Sequence, residues 1–566
     1  MRMSDYKFVE KEAKDLRHLV YSSAELYGDK ARFTYKHKRE TFTYTYNDLL
    51  SDMNALGTGL VKLGLGGKTV AIIGDTHPSY ITTYFAVVNG NGIIVPLAKE
   101  LMDEEIANFL NFTEADAIVY TTDIFEEKLA SIKESVPGVK YFIGVYTENK
   151  VDDERFITYD SVIDLGKKAL SEGFNDYLNV EIDMEKCCAI LMTSGTMGTS
   201  KGVMLNQRNL TAATNSSCRT MEFMDCNTRL ISVLPVHHTY EMTTGQLAAT
   251  NKGMTTFIND SIKHFLKNTA DVKPTVLILV PLFVETMVKK IWASIEAKGL
   301  TDKVKTAIKI SNAARKIGID LRKKLFKDVL AAFGGELKYI VCGGAVLDDA
   351  IIRDLDAFGI TVLNGYGITE CSPLVSVNTE KKMRKGSIGV PVPGCQVKID
   401  LSDGLDVGEI LVKGDNVMMG YLKNPDATAE VFTEDGWFRT GDVGYMDKDG
   451  YIFITGRKKN IIILSNGKNI YPEEIETYIS HIPLVKECVV VGRRNDIGEV
   501  VITALVYPNP EMTEGKDKGE IYSLIKADIN EMNKDLPIFK QVREIEIRDE
   551  EFEKNTSHKI KRFKVQ

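Results

Sequence analysis

From about Thr41 to Pro96 the chain alternates two periods. A stretch with apolar residues at helical spacing, YNDLLSDMNALGTGLVKLGL, is followed by short continuous apolar runs, TVAIIG and GIIVPL. Alternation of this kind predicts helices layered on a sheet, an α/β fold. The pattern continues through the strand candidates DAIVYT, KYFIGVY, RLISVLP, TVLILVP, ELKYIVCGG and ITVLNGYG. Residues 147–186 are charged, lack clear periodicity, and read as a surface connection. Residues 295–333 are helical in period and rich in lysine and arginine. They read first as a solvated helical face and second as a membrane-surface patch.

After TGDVGYMDKDGYIFITGRKKN the character changes to a compact unit. Its helix candidates are YPEEIETYIS and EIYSLIKADINEMNK, and its strand candidates are VKECVVVG and VVITALVYP. Ile521, Leu524, Ile525 and Ile529 recur at helical spacing and predict one buried stripe. We therefore expect a large N-terminal domain of layered sheets and helices, residues 1–456, and a small α/β domain, residues 457–566. No internal repeat or low-complexity tract is present.

Composition narrows the class. At 566 residues the chain exceeds what one core supports, and 44% apolar with 27% charged residues is ordinary for a globular protein. A formal net charge of -8 argues against a nucleic-acid binder. The first residues carry charges throughout, without the apolar core of a signal peptide, and the apolar runs elsewhere are too short to span a bilayer. A cytoplasmic protein is expected. The eight cysteines are scattered and read as reduced, mostly buried thiols. Eight histidines are dispersed except for the pair His237 and His238, and no metal cage can be assembled from them.

The candidate chemistry begins at Thr193–Gly202, TSGTMGTSKG, which follows an apolar run. It is not a Walker A loop, because Gly202 follows Lys201 instead of preceding it. Its glycines, five hydroxyls and one ammonium nevertheless suit a polyphosphate; alone, such a stretch is more often a turn. Further on, NGYGITECSP offers Glu370, a hard oxygen ligand suited to Mg2+. The block GWFRTGDVGYMDKDGYIFITGRKKN supplies Asp442, able to accept hydrogen bonds from ribose hydroxyls, and Arg457 at the domain boundary.

These three blocks, in this order, resemble the core motifs of the acyl-adenylate-forming superfamily, which comprises acyl- and aryl-CoA synthetases, peptide-synthetase adenylation domains and firefly luciferase. The likeness runs from YTYNDLL to HKIKR near the end of the chain. Pro235, His238 and Glu241 in LPVHHTYEMTTG, and the run ARKIGIDLRKKLFKDVLAAFGGELKYIVCGGAVL, resemble the long-chain fatty acyl-CoA synthetase branch.

The resemblance implies roles for individual residues. Thr193, Ser194, Gly195, Thr196 and Lys201 would cradle the β- and γ-phosphates of ATP. Gly343, Gly344 and Ala345 would line the adenine site, with Tyr366 stacked on the base and Gly367 beside it. Thr369 would contact the α-phosphate, Glu370 would hold Mg2+, Asp442 would hold the ribose, and Arg457 would lie against ribose or phosphate. His238 takes the place of the branch histidine at the catalytic centre. Lys459 falls at the family's hinge and Lys559 at its adenylating lysine, with Lys561 as a competing candidate. Gly367 also stands where acetate-specific relatives carry a tryptophan, so a longer acyl chain is permitted.

The chain departs from the family pattern at Met197, Ser200 and His558, where threonine, proline and glycine are usual. The implied reaction joins a medium- or long-chain fatty acid to CoA through acyl-AMP. The alternatives are delivery to acyl carrier protein, activation of an aryl carboxylate, or a non-catalytic nucleotide-binding homologue. The last would predict loss of Lys201, Glu370, Asp442 or Lys559, and all four are present.

Overall fold

The structure is a computed structural model that describes residues 11–37, 40–145, 151–193, 200–345, 347–401, 407–464, 468–495, 498–554 and 560–565. The chain divides into two compact units. Of the described residues, the first contains those within 11–193, 200–396 and 412–432, and the second those within 397–411 and 433–565.

The first unit is built on an eight-stranded sheet in the order Gly420–Tyr421, Lys201–Asn206, Cys187–Thr193, Ile93–Leu97, Thr69–Ile73, Ala117–Tyr120, Tyr141–Gly144 and Phe156–Thr158. From Cys187–Thr193 to Phe156–Thr158 all pairings are parallel; the other two strands form an antiparallel edge. Helices cover the parallel strands, which explains their continuous apolar runs: Ala71, Ile72, Ile73, Ile118 and Val119 are wholly buried. The helix Tyr46–Lys62 starts where the sequence allows it, with Thr45 and Asp48 closing a capping box.

A five-stranded sheet follows the order Val276–Leu279, Tyr339–Cys342, Thr361–Gly367, Leu374–Val377 and Val390–Pro391, its first three strands parallel. A four-stranded sheet orders Arg229–Ser232, Thr255–Ile258, Ala31–His37 and Glu40–Thr45. The expected α/β class and the named strand candidates are therefore present.

Two expectations need correction. Residues 147–186 are not only a surface connection: they contain the strand Phe156–Thr158 and the helix Tyr159–Ser171, capped by Thr158. This helix packs on Tyr46–Lys62 so closely that a Cβ at Gly166 would lie 1.7 Å from the Ala55 carbonyl oxygen, and one at Gly59 2.2 Å from that of Val162. Its buried face is Tyr159, Val162, Ile163, Gly166 and Ala169. Glycine and alanine carry no strong apolar signal, so the stripe is muted in the sequence.

The second correction concerns Leu524, which is exposed, while Ile525 and Ile529 are wholly buried and Ile521 partly so. The true stripe is 521, 525 and 529, one residue per turn, and Leu524 sits at its edge.

The basic segment forms the end of Pro281–Ala297 and the helices Thr301–Lys316, Arg322–Leu325 and Lys327–Ala331. Breaks fall at Gly299 and Gly318, whose φ of 65° and 83° favour glycine. Ser311 is the one buried residue of Thr301–Lys316. No helix among the described residues is long and apolar enough to cross a membrane.

In the second unit, Phe438–Met446 pairs antiparallel with Ile452–Arg457. A three-stranded sheet of Val485–Arg494, Val500–Pro508 and Glu544–Ile547 carries the helices Pro472–Ile479 and Lys518–Asn533. Ile475, Ile479, Val490, Ala504, Val506, Ile525 and Ile529 form its core. None of the eight cysteines is in a disulfide, and six of them are buried.

Candidate active site

The phosphate-loop candidate is the connection of a β-hairpin. Cys187–Thr193 and Lys201–Asn206 pair antiparallel with Thr193 opposite Lys201, and the Thr193 hydroxyl donates to the Lys201 carbonyl at 3.3 Å. Ser194, Gly195, Thr196 and the divergent Met197 lie outside the described residues. The sheet therefore fixes both ends of the loop.

Tyr421, which the sequence reading did not single out, stands next to Lys201. It lies opposite Val203 on the edge strand, and Val203 and Lys201 project to the same face of their strand. Tyr421 and Lys201 are thus diagonal neighbours on one face, and the Lys201 Nζ sits 4.5 Å from the centre of the Tyr421 ring. The Tyr421 hydroxyl donates to Glu370 Oε1 at 3.0 Å.

Glu370 sits on a single 3-10 turn, Thr369–Cys371, that is pinned on several sides. Its carbonyl accepts from the Met418 N–H at 2.8 Å. Asn416 Nδ2 donates to the carbonyls of Cys371 and Leu374 at 3.2 and 2.9 Å, and Thr243 Oγ1 donates to that of Ser372 at 2.9 Å. Among the described residues no ion pair joins Lys201 to Glu370, and no cluster of three or more metal-ligating side chains occurs.

The adenine-site candidates leave two adjacent parallel strands at their carboxyl ends, where α/β sheets form ligand crevices. Cys342 lies opposite Asn364, so Gly343, Gly344 and Ala345 follow one strand and Gly365, Tyr366 and Gly367 finish the next. The Gly343 N–H donates to the Leu279 carbonyl at 3.2 Å, Gly344 has φ 88°, and Ala345 is exposed. Tyr366 is buried. A Cβ at Gly367 would lie 2.3 Å from the Pro373 carbonyl oxygen, so backbone packing alone demands glycine there, whatever the acyl chain.

His238 belongs to a turn that abuts Gly343. Its N–H donates to Pro235 O at 3.1 Å, and Tyr240, two residues on, donates to Val341 O at 3.0 Å with its ring 3.3 Å from where a Gly343 Cβ would stand. The rings of His237 and His238 are 4.1 Å apart, and burial, with His238 and Lys99 nearby, pushes His237 down to about 3. Glu241 is buried, accepts from Ser232 Oγ at 2.6 Å and Gln246 Nε2 at 2.8 Å, and is pushed up to about 7 by desolvation. The wholly buried Arg32 donates to Gln246 Oε1 at 3.1 Å and extends this network.

In the second unit Asp442 and Arg457 are opposite each other on paired strands, and Arg457 Nε meets Asp442 Oδ1 at 2.7 Å. Burial, with Arg457 and Arg562 nearby, lowers the pKa of Lys459. Lys561 is paired with Glu553 at 2.6 Å. Lys559 and His558 lie outside the described residues.

Comparison with known proteins shows the family of the chain. The AMP-binding enzyme family matches residues 20–422, and the AMP-binding enzyme C-terminal domain matches residues 459–566. The chain belongs to the AMP-binding enzymes, the adenylate-forming superfamily, in their long-chain fatty acid–CoA ligase branch. It is 30% identical to the long-chain-fatty-acid–CoA ligase FadD15 of Mycobacterium bovis, over 83% of this chain and 78% of that protein. It is 28% identical to the chloroplastic long-chain-fatty-acid–[acyl-carrier-protein] ligase AEE15 of Arabidopsis thaliana, over 88% and 76%. In fold it is similar to the anthranilate CoA ligase AuaEII in complex with anthranoyl-AMP, with a TM-score of 0.75 at 18% identity over 100% and 98% of the two chains.

Proposed function

We propose that this enzyme activates a medium- or long-chain fatty acid with ATP to acyl-AMP and pyrophosphate, then transfers the acyl group to CoA with release of AMP. The observation that carries this reading is the sheet-fixed cluster of Lys201, Tyr421 and Glu370 beside the phosphate-loop hairpin.

The fatty acid carboxylate must approach an α-phosphate that is itself negative, so the site has to supply positive charge before the reactants meet. Lys201, with Thr193, Ser194, Gly195 and Thr196, holds the β- and γ-phosphates and orients pyrophosphate as the leaving group. Thr369 contacts the α-phosphate. A single pinned carboxylate suits Mg2+, which takes most of its ligands from water and substrate phosphates and few from protein, so Glu370 is its protein ligand. When bound, Mg2+ supplies charge neutralisation along the triphosphate.

Gly343, Gly344, Ala345, Tyr366 and Gly367 receive the adenine, and His238 lines the reacting centre. Asp442 accepts from the ribose hydroxyls, with Arg457 beside it. Residues 457–566 act as a mobile domain hinged at Lys459, and Lys559 bridges the attacking carboxylate and the α-phosphate. In the second step the CoA thiolate attacks the acyl carbonyl and AMP leaves with the oxygen it gained.

The likeness to AEE15 supports acyl carrier protein as the alternative acceptor, since both acceptors present a phosphopantetheine thiol. We place the enzyme in the cytoplasm. Residues 295–333 add at most a salt-sensitive contact with anionic membranes, each lysine or arginine near the surface contributing about 1 kcal/mol. The test is release of AMP and pyrophosphate over carboxylic acids from acetate to palmitate and an aryl acid, with CoA, with acyl carrier protein, or with neither. The expected result is AMP formation with the longer acids and thioester with CoA. Release of ADP, or activity confined to acetate or aryl acids, would overturn the reading.

A further inference from the structure

We infer that Tyr421 is a positioning residue that orients two opposite charges of the ATP site, the ammonium of Lys201 and the carboxylate of Glu370, while keeping them from pairing with each other. The inference rests on the function proposed above. It is carried by geometry: the Tyr421 ring face lies under Lys201 Nζ at 4.5 Å, and its hydroxyl reaches Glu370 Oε1 at 3.0 Å.

The tyrosine is itself held in place. It is buried, its N–H donates to Thr428 Oγ1 at 2.9 Å, and the next residue, Leu422, donates to the Gly202 carbonyl at 2.8 Å. Both charged groups are therefore referenced to the same edge of the sheet. A cation over an aromatic face is attracted without being neutralised, so the Lys201 ammonium keeps its N–H donors for phosphate oxygens. A carboxylate that accepts one phenolic hydrogen bond has its rotamer fixed and keeps Oε2 for a metal. If the two met directly, each would have to break an ion pair before binding its ligand.

Two variants separate the contacts. Tyr421→Phe keeps the ring and removes the hydroxyl; Tyr421→Leu removes both. ATP binding is measured calorimetrically with and without Mg2+, alongside the Mg2+ dependence of pyrophosphate release. For Tyr421→Phe the expected result is a roughly tenfold rise in the Mg2+ concentration for half-maximal release, with unchanged affinity for metal-free ATP and an unchanged melting temperature. For Tyr421→Leu, metal-free ATP should in addition bind about three- to fivefold more weakly. Wild-type Mg2+ dependence in Tyr421→Phe would overturn the inference and leave the functional reading standing. Equal loss of metal-free binding in both variants would also overturn it, because the hydroxyl would then not act through the metal ligand. If the wild-type protein itself releases no pyrophosphate, the functional reading falls and takes the inference with it.

Discussion

Two pairs of opposite charges are found among the nucleotide-site candidates, and they are built differently. In the first unit Lys201 and Glu370 both contact Tyr421 and form no ion pair with each other. In the second unit Asp442 and Arg457 pair directly, at 2.7 Å, across two antiparallel strands. The first arrangement leaves both charges open to a ligand. The second is satisfied without one, with a side chain of Asp442 that is only 8% exposed, so it holds an acceptor oriented. The difference fits the chemistry proposed for each. Triphosphate and metal bring full charges that need open counter-charges, whereas ribose hydroxyls are neutral donors that need only a fixed acceptor.

The largest expected effect belongs to neither pair. Lys559→Ala should slow acyl-adenylate formation by at least roughly 10²–10³, while thioester formation from supplied acyl-adenylate and CoA stays near the wild-type rate. Failure of both half-reactions together would show that the lysine supports the fold or that the two steps share one arrangement. Next, Glu370→Gln keeps the shape and the partner of the open pair but removes its negative charge. Its pyrophosphate release should fall by roughly 10²-fold and lose its steep Mg2+ dependence. An unchanged Mg2+ profile would erase the contrast between the two pairs.

Asp442→Asn breaks the closed pair. It should raise the KM for ATP about tenfold with a smaller change in kcat, since the loss falls on binding. A pure kcat effect would place Asp442 at the reacting phosphate instead.

The last effect falls on stability rather than on rate. Glu241 is pushed up from 4.5 to about 7 by desolvation, so between those values the native protein holds a proton that the unfolded chain lacks. Stability contributed at this site therefore falls as pH rises from 4.5 to 7 and levels off above it. Glu241→Gln should flatten that trend, gaining up to about 3 kcal/mol at pH 8 relative to pH 4.5 in denaturant titrations. Parallel pH profiles for the two proteins would show that Glu241 stays ionised.

Much of this was legible in the sequence because the relevant signals are local. Thr69–Ile73, Ala117–Tyr120 and Val276–Leu279 are apolar runs between helical patterns, and burial on both faces of a parallel sheet produces such runs. The helix Tyr159–Ser171 was hidden because its contact with Tyr46–Lys62 is made through Gly59 and Gly166, whose value lies in the side chain they lack. At the site, motif glycines, Lys201 and Glu370 stand out by type. Tyr421 does not: it is one aromatic among 23 tyrosines, and only the register that sets it opposite Val203 brings it to Lys201. The GYLKNP segment holding it, with Asn424 capping and Pro425 opening the next helix, was the available signal.

The most direct test of the central claim is the fate of the substrate oxygen. With a fatty acid carrying 18O at both carboxylate oxygens, plus ATP, Mg2+ and CoA, attack at the α-phosphate followed by thiol displacement should leave one label in AMP, one in the thioester carbonyl and none in pyrophosphate. Label in inorganic phosphate, or AMP free of label, would contradict an acyl-adenylate and with it the account of this site.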